Sequence, residues 1–210
     1  MNIKVCGITQ LKQLEQLDKL GIDFAGLIFH PASPRYAPNT LKGTEVRHSD
    51  FDLKKVGVFV DMAYTEIMKL VDAYALDVVQ LHGNEEPSLC EKLLDHVEVI
   101  KVFHIDASVK TVDEMVMDYD ETCDYYLFDT ALADGTKGGT GKQFNWKVLK
   151  DSDIEKPFFI SGGIGMDAVD KLKKFKHPDF YGVDINSQFE KEPGVKDLVQ
   201  VLQFKQALKK

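Results

Sequence analysis

Short apolar runs recur along this chain at near-even intervals, and polar stretches with helical patterning fill the gaps. Ile3-Lys4-Val5, Phe24 to Phe29, Val56 to Val60 and Val78 to Leu81 predict the first four strands. Val99 to Phe103, Tyr125 to Phe128, Phe158 to Ile160 and Tyr181 to Val183 predict four more. These runs are rich in β-branched and aromatic residues and mostly continuous, the pattern of parallel strands buried on both faces. Between them, Leu11, Leu14 and Leu17 mark one helical stripe, with Glu15 and Lys19 spaced for mutual support on its exposed side. Ile67, Leu70, Val71 and Tyr74 mark another, as do Val112, Met115, Val116 and Tyr119. Val169, Leu172 and Phe175 continue the series, and Val195, Leu198, Val199 and Leu202 close it. Residues 39–49 predict a weaker helix, polar and interrupted by Gly43. Pro87-Ser88 and Met166-Asp167 fit helix entries.

Strands alternating with helices call for a doubly wound sheet or a closed barrel, and eight of each favours the barrel. The expected fold is α/β, a single (β/α)8 TIM barrel domain over residues 1–210. No linker, low-complexity segment or shift in composition marks a second domain.

Composition narrows the function classes. With 44% hydrophobic and 29% charged residues, the chain is an ordinary globular protein. Its formal net charge of -8 argues against nucleic acid, which needs a basic footprint. A small phosphorylated molecule remains open to it, because backbone amides can hold an anion locally. Cys6, Cys90 and Cys123 show neither metal-ligand spacing nor a disulfide framework, which suits a reducing compartment. No leader pattern and no membrane-spanning apolar run is present, so the cytoplasm is expected.

In a parallel barrel the ligand binds where the strands end, and the residues there are the candidates for chemistry. Cys6 ends the first strand, before Gly7 and a Thr9 placed to cap a helix. Arg35 sits in the loop Pro31-Ala32-Ser33-Pro34-Arg35-Tyr36 after the second. Its rigid fork of donors suits a carboxylate, although a plain surface arginine is the ordinary alternative. His82 follows the fourth strand and, lacking a neighbour in sequence to orient it, reads as a hydrogen-bonded structural histidine. Asp129 ends the sixth, where a catalytic acid and a turn or cap residue are equally compatible with its position. Gly162 and Gly163 follow the seventh and Asn186 and Ser187 the eighth, the two loops that commonly hold phosphate in such barrels. Taken singly, each of these glycines is an ordinary turn residue; the two loops at the two expected places favour phosphate. Gly138-Gly139-Thr140-Gly141-Lys142 lacks P-loop spacing and reads as a mobile active-site loop. Cys90 and Cys123 read as buried small hydrophobes. No inward-facing Asp/His metal set stands out, and no metal or cofactor is expected.

Lys4-Val5-Cys6-Gly7-Ile8-Thr9, Pro34-Arg35-Tyr36, Val78-Val79-Gln80-Leu81-His82-Gly83, Phe128-Asp129-Thr130, Gly138 to Lys142, Ser161-Gly162-Gly163 and Pro193-Gly194-Val195-Lys196-Asp197 occur in one order. The ordered set resembles the phosphoribosylanthranilate isomerases over essentially the whole chain. The resemblance implies a cofactor-free Amadori rearrangement of N-(5′-phosphoribosyl)anthranilate in tryptophan biosynthesis. It further implies Asp129 as general acid on the furanose oxygen, Cys6 as general base at C2′, and Arg35 on the anthranilate carboxylate. That role requires Asp129 to stay protonated near neutrality, so a raised pKa is expected for it. Two positions depart from the family pattern. Asn145 stands where aspartate is usual, and Gln188-Phe189 stand where a glycine and a small aliphatic residue are usual.

Other readings compete. An epimerase or aldolase barrel would need paired carboxylates, a metal or a Schiff-base lysine. A non-catalytic phosphometabolite binder would not need both Cys6 and Asp129, and a redox sensor at Cys6 would want a second cysteine nearby in sequence. Monomer and homodimer are both open, as is a substrate range reaching a histidine-pathway aminoaldose.

Overall fold

Eight parallel strands close on one another in chain order, each paired to the next and the last to the first. They are β1 (Asn2–Cys6), β2 (Phe24–Ile28), β3 (Lys54–Phe59), β4 (Val78–Leu81), β5 (Glu98–Ile105), β6 (Tyr125–Thr130), β7 (Phe158–Ile160) and β8 (Phe180–Ile185). A computed structural model describes residues 1–131 and 143–209. The helices lying between and after the strands are α1 (Leu11–Lys19), α2 (Gly43–Arg47), α3 (Tyr64–Tyr74), α4 (Pro87–Leu94), α5 (Asp113–Val116), α6 (Lys147–Lys150), α7 (Val169–Lys174) and α8 (Leu198–Lys209). After β8 a short hairpin, β9 (Glu190–Glu192) and β10 (Val195–Lys196), precedes α8. This is the expected (β/α)8 barrel. Among the described residues no helix is long and apolar enough to cross a membrane.

The continuous apolar runs serve two cores. Side chains facing outward from the strands, such as Ile3, Val5, Ala25, Leu27, Val79, Phe128 and Ile160, pack under the helices. Those facing inward, Phe24, Val56, Val78, Ile100, Val102, Leu127 and Phe159, fill the barrel as a separate plug. Successive side chains on a strand point to opposite faces, so stepping along the strands in twos from the plug leads towards the carboxyl-end mouth. From Val78 the step leads to Gln80 and His82, from Val102 to His104, and from Leu127 to Asp129. On β1 the same inward parity carries Lys4 and then Cys6.

Three local expectations are corrected. Thr9 does not cap α1: Gln10 occupies that position, and the Thr9 hydroxyl donates to the Gly194 carbonyl at 2.7 Å. The helix near residue 43 begins at Gly43 and is not interrupted there. Val195 lies in the hairpin, because the chain turns at Gly194 with φ +84°, and α8 starts only after Asp197. The Asp197 side chain accepts from the Val199 and Gln200 amides, capping the helix. The later start rotates the buried face of α8 to Val201 and Phe204 and leaves Val199 64% exposed.

Candidate active site

Cys6, Arg35, His82, Asp129, Gly162, Gly163, Asn186 and Ser187 all line one cavity of about 430 Å³ at the carboxyl ends of the strands. Its lining comes from seven of the strands and the loops that follow them. Residues scattered from position 6 to position 187 thus share one mouth because they share one strand parity or lie just beyond a strand end.

The thiol of Cys6 is buried and lies across Gly26, the residue beside it in the β1–β2 register. A Cβ on Gly26 would come within 2.7 Å of the sulfur, so the neighbour must be glycine for the thiol to sit there. Burial pushes the Cys6 pKa up, while the Lys4 and Lys196 ammonium groups pull the other way. Lys4 is itself wholly buried and pairs with Asp184 at 2.9 Å. Cys90 and Cys123, by contrast, are pushed up by burial to about 11 and about 12 and lie outside the cavity, as inert core thiols.

Asp129 is 3% exposed, and one of its oxygens accepts from the Thr130 amide at 2.9 Å. The other lies 3.5 Å from His82 Nε2. Burial pushes this carboxyl up, but hydrogen bonding and charge from His82, with His104 adding to them, outweigh it, and the net shift is downward. The direction is opposite to the raised pKa expected from the role of an acid: the neighbouring histidines favour the carboxylate form of Asp129.

His82 does have a sequence neighbour to orient it. Gln80, two residues earlier on the same strand face, donates through Nε2 to His82 Nδ1 at 3.0 Å. The His82 amide donates to the Phe59 carbonyl, and the loop beyond is fixed by the buried Lys101–Glu85 pair and its contacts with Gly83. His104, which the sequence reading passed over, stands opposite Asp129 in the β5–β6 register. It donates through Nε2 to the His82 carbonyl at 3.1 Å. His82, His104 and Asp129 each bring a ligand atom within 4.8 Å of the others. The expectation of no inward-facing Asp/His set is corrected accordingly; strand parity was the signal that could have found His104.

Arg35 reaches the mouth across Gly7, where φ is +79° and a Cβ would come within 2.6 Å of the Arg35 side chain. Its guanidinium meets Glu190 with Nε–Oε1 at 2.9 Å and Nη2–Oε2 at 2.6 Å. Glu190 also accepts from Lys196 Nζ at 2.6 Å and from the Gly194 amide, and Lys196 donates to Asn186 Oδ1 at 2.7 Å. Arg35, Glu190, Lys196 and Asn186 therefore form one network, of which sequence reasoning singled out only Arg35 and Asn186.

On the opposite wall Gly162 and Gly163 have φ of +86° and +63°, a turn that L side chains rarely adopt. A Cβ on Gly162 would also collide with Thr130. Gln188 faces the cavity from the short turn Ser187–Phe189 and has no left-handed φ, so its backbone tolerates the departure from glycine. Phe189 is buried against Phe204 with ring centroids 5.0 Å apart. Asn145 Oδ1 accepts from the Lys147 amide, which is how it serves in place of aspartate at the entry to α6. The glycine-rich segment Gly138–Lys142 lies outside the described residues.

Comparison with known proteins agrees with this geometry. A model of the N-(5′-phosphoribosyl)anthranilate (PRA) isomerase family matches residues 3–207. The N-(5′-phosphoribosyl)anthranilate isomerase of Parabacteroides distasonis is 38% identical, covering 99% of this chain and 93% of its own. That of Phocaeicola vulgatus is 36% identical over 100% and 98%. The crystal structure of the Thermus thermophilus phosphoribosyl anthranilate isomerase superposes with a TM-score of 0.82 at 26% identity, covering 100% and 98%. A phosphoribosyl anthranilate isomerase in complex with reduced 1-(o-carboxyphenylamino)-1-deoxyribulose 5-phosphate superposes with a TM-score of 0.80 at 27% identity, over 100% and 98%. With a matching family model over nearly its full length and relatives above 30% identity along the whole of it, the chain belongs to the N-(5′-phosphoribosyl)anthranilate isomerase family.

Proposed function

We propose that this cavity rearranges N-(5′-phosphoribosyl)anthranilate to 1-(2-carboxyphenylamino)-1-deoxyribulose 5-phosphate, with Asp129 as general acid and Cys6 as general base. One observation carries the assignment of roles: a buried carboxyl and a buried thiol line a single cavity between an arginine at one wall and a left-handed glycine turn at another. Asp129 gives a proton to the furanose oxygen as the C1′–O bond breaks, leaving an iminium on the anthranilate nitrogen. Cys6 removes the C2′ proton, and that electron pair forms the C1′–C2′ double bond of an enolamine while the iminium is neutralised. Tautomerisation to the ketose completes an isomerisation that balances without a redox partner or cofactor.

Asp129 must carry a proton in the first step and Cys6 must be a thiolate in the second, and the substrate favours both. Its phosphate and carboxylate bring negative charge into the cavity, which favours protonation of Asp129. The iminium then favours the Cys6 thiolate, assisted by Lys4 and Lys196. Arg35 takes the anthranilate carboxylate, and the amides of Gly162, Gly163, Asn186 and Ser187 take the phosphate. His82 lines the substrate cavity and orients Asp129. The protein acts in the cytoplasm as a monomer or homodimer on this small phosphorylated substrate, with no nucleic-acid or membrane partner.

The test is growth without tryptophan in a host lacking the isomerase. The wild-type chain restores growth, and Cys6→Ser and Asp129→Asn do not. Growth restored equally by either variant refutes that residue's role, and failure of the folded wild type refutes the reaction.

A further inference from the structure

We infer that His82, His104 and Asp129 form a binding site for a divalent transition metal of the zinc class, and that its occupation blocks the catalytic centre. Three observations lead there. The first is composition and spacing: two imidazoles and a carboxylate each offer a ligand atom, all within 4.8 Å of one another. Zinc–ligand bonds of about 2.0–2.1 Å put the ligand atoms of a tetrahedral site roughly 3.3 Å apart. His82 Nε2 and Asp129 Oδ2, at 3.5 Å, are already there. Small side-chain rotations close the rest, and the cavity in front supplies room for water or a substrate oxygen as the fourth ligand.

The second is the support around each ligand. Metal-binding histidines generally tie their other ring nitrogen to a carbonyl or carboxylate, which fixes ring and tautomer. His104 does so through Nε2 to the His82 carbonyl at 3.1 Å, and a neutral ring that donates there carries its lone pair on Nδ1. Asp129 is held through its other oxygen by the Thr130 amide. His104 and Asp129 are also fixed opposite each other by the strand ladder, so the pair rests on rigid backbone rather than on a loop.

The third is Gln80. It is 1% exposed, lines the cavity, and its Oε1 accepts no hydrogen bond from any described residue while its Nε2 donates to His82 Nδ1. Metal at His82 Nε2 requires the proton on Nδ1. Turning the Gln80 amide end over end meets that proton with Oε1 and gives the orphaned acceptor its partner. This arrangement thus leaves unsatisfied the one atom that the metal-bound tautomer would use.

Binding stands on these contacts alone; the block rests on the assignment of Asp129 as the acid, whose carboxylate the metal would hold. The probes are Zn²⁺ for activity and Co²⁺ for spectroscopy, on the whole protein stripped with chelator. Co²⁺ binds one per chain with visible ligand-field bands of low coordination number, free of a near-ultraviolet thiolate charge-transfer band, and unchanged in Cys6→Ser. In His104→Gln, with His104→Asn as the second choice should that variant misfold, metal affinity falls at least about tenfold, the scale on which even outer ligand partners act. Zn²⁺ inhibits the wild type reversibly, and the same substitutions raise the concentration for half-inhibition by at least that factor. Absence of one-to-one binding, a thiolate band lost in Cys6→Ser, or unchanged affinity in both His104 variants overturns the site. Binding as described with full activity retained upholds the metal site and overturns Asp129 as the acid.

Discussion

Arg35 and Glu190 are joined by a two-pronged ion pair between the loop after β2 and the strand that follows the eighth-strand turn, with Nη2–Oε2 at 2.6 Å. A guanidinium carries five N–H donors, so the pair commits one edge and leaves others for a second carboxylate. Glu190 thereby aims Arg35 into the cavity, and Lys196 keeps Glu190 in place. Under the role proposed for Arg35, substrate binding and the eighth-strand loop are coupled through this one guanidinium.

Arg35→Met therefore raises KM for the substrate about ten- to a hundredfold, the equivalent of a lost charge-assisted hydrogen bond worth roughly 1.5–3 kcal/mol. The comparison that decides the cause is binding of an analogue lacking the ring carboxylate. If Arg35 serves the carboxylate, the analogue binds wild type and variant alike. An equal loss for the analogue assigns Arg35 to the fold.

Glu190 should give the protein an acid-sensitive component of stability. Burial pushes its pKa up, but the Arg35 guanidinium and Lys196 ammonium more than reverse this, and the native value lies below that of a free glutamate. The unfolded chain therefore takes up this proton at a higher pH than the native one. The contribution is complete above the unfolded value of about 4.3 and fades as pH falls through the native value. Glu190→Gln is less stable than wild type at neutral pH by about 1–3 kcal/mol. In urea titrations repeated down to about pH 3 the gap narrows. A gap independent of pH would show that Glu190 is not a native-state carboxylate.

Replacing the proposed base tests the other end of the site. Cys6→Ser keeps size and polarity but replaces a thiol by a hydroxyl that hardly ionises near neutrality. It should lower kcat by at least about a hundredfold, the ordinary scale of general-base loss, with little change in Tm. Turnover close to wild type removes Cys6 from the reaction.

For Asp129→Asn the split between kinetic constants is the informative quantity. The amide keeps the shape and the Thr130 contact but has no acidic proton for the ring oxygen, so kcat collapses while KM changes little. A risen KM with kcat intact would make Asp129 a binding residue.

The barrel was legible because its strands are continuous apolar runs, a signal that depends on burial and survives uncertainty about ends. Helix phase was less legible. Val199 fits a 3.6-residue stripe with Val195, yet the turn at Gly194 removes Val195 from the helix and gives the buried face to Val201 and Phe204. In the site, residues at strand ends could be named one strand at a time. What the chain order conceals is pairing across strands. His104 and Asp129 become neighbours only through the β5–β6 register, and Glu190 meets Arg35 only in the folded chain, 155 residues apart in sequence. The pKa of Asp129 followed the same rule: the catalytic role alone suggested a raised value, and the two histidines that turn the shift downward lie at the ends of other strands.

The phosphate assignment is tested at Gly163 and Gln188. Gly163 takes φ +63°, its carbonyl accepts from Gln143 Nε2 at 3.0 Å, and the residue lines the cavity. An anion at this turn is bound by the backbone, and inorganic phosphate should compete with the substrate. Gly163→Ala strains the left-handed turn at a cost of about 1 kcal/mol in stability or somewhat more. It should raise both KM and the phosphate inhibition constant by at least tenfold, roughly 1.4 kcal/mol in binding. Gln188 faces the same space, and its side-chain amide can add a donor that a glycine there would lack. Gln188→Gly should then weaken phosphate inhibition, by less than Gly163→Ala does. Tighter phosphate binding in Gln188→Gly would mean that the side chain crowds the anion. Unchanged inhibition in both variants would place the phosphate elsewhere.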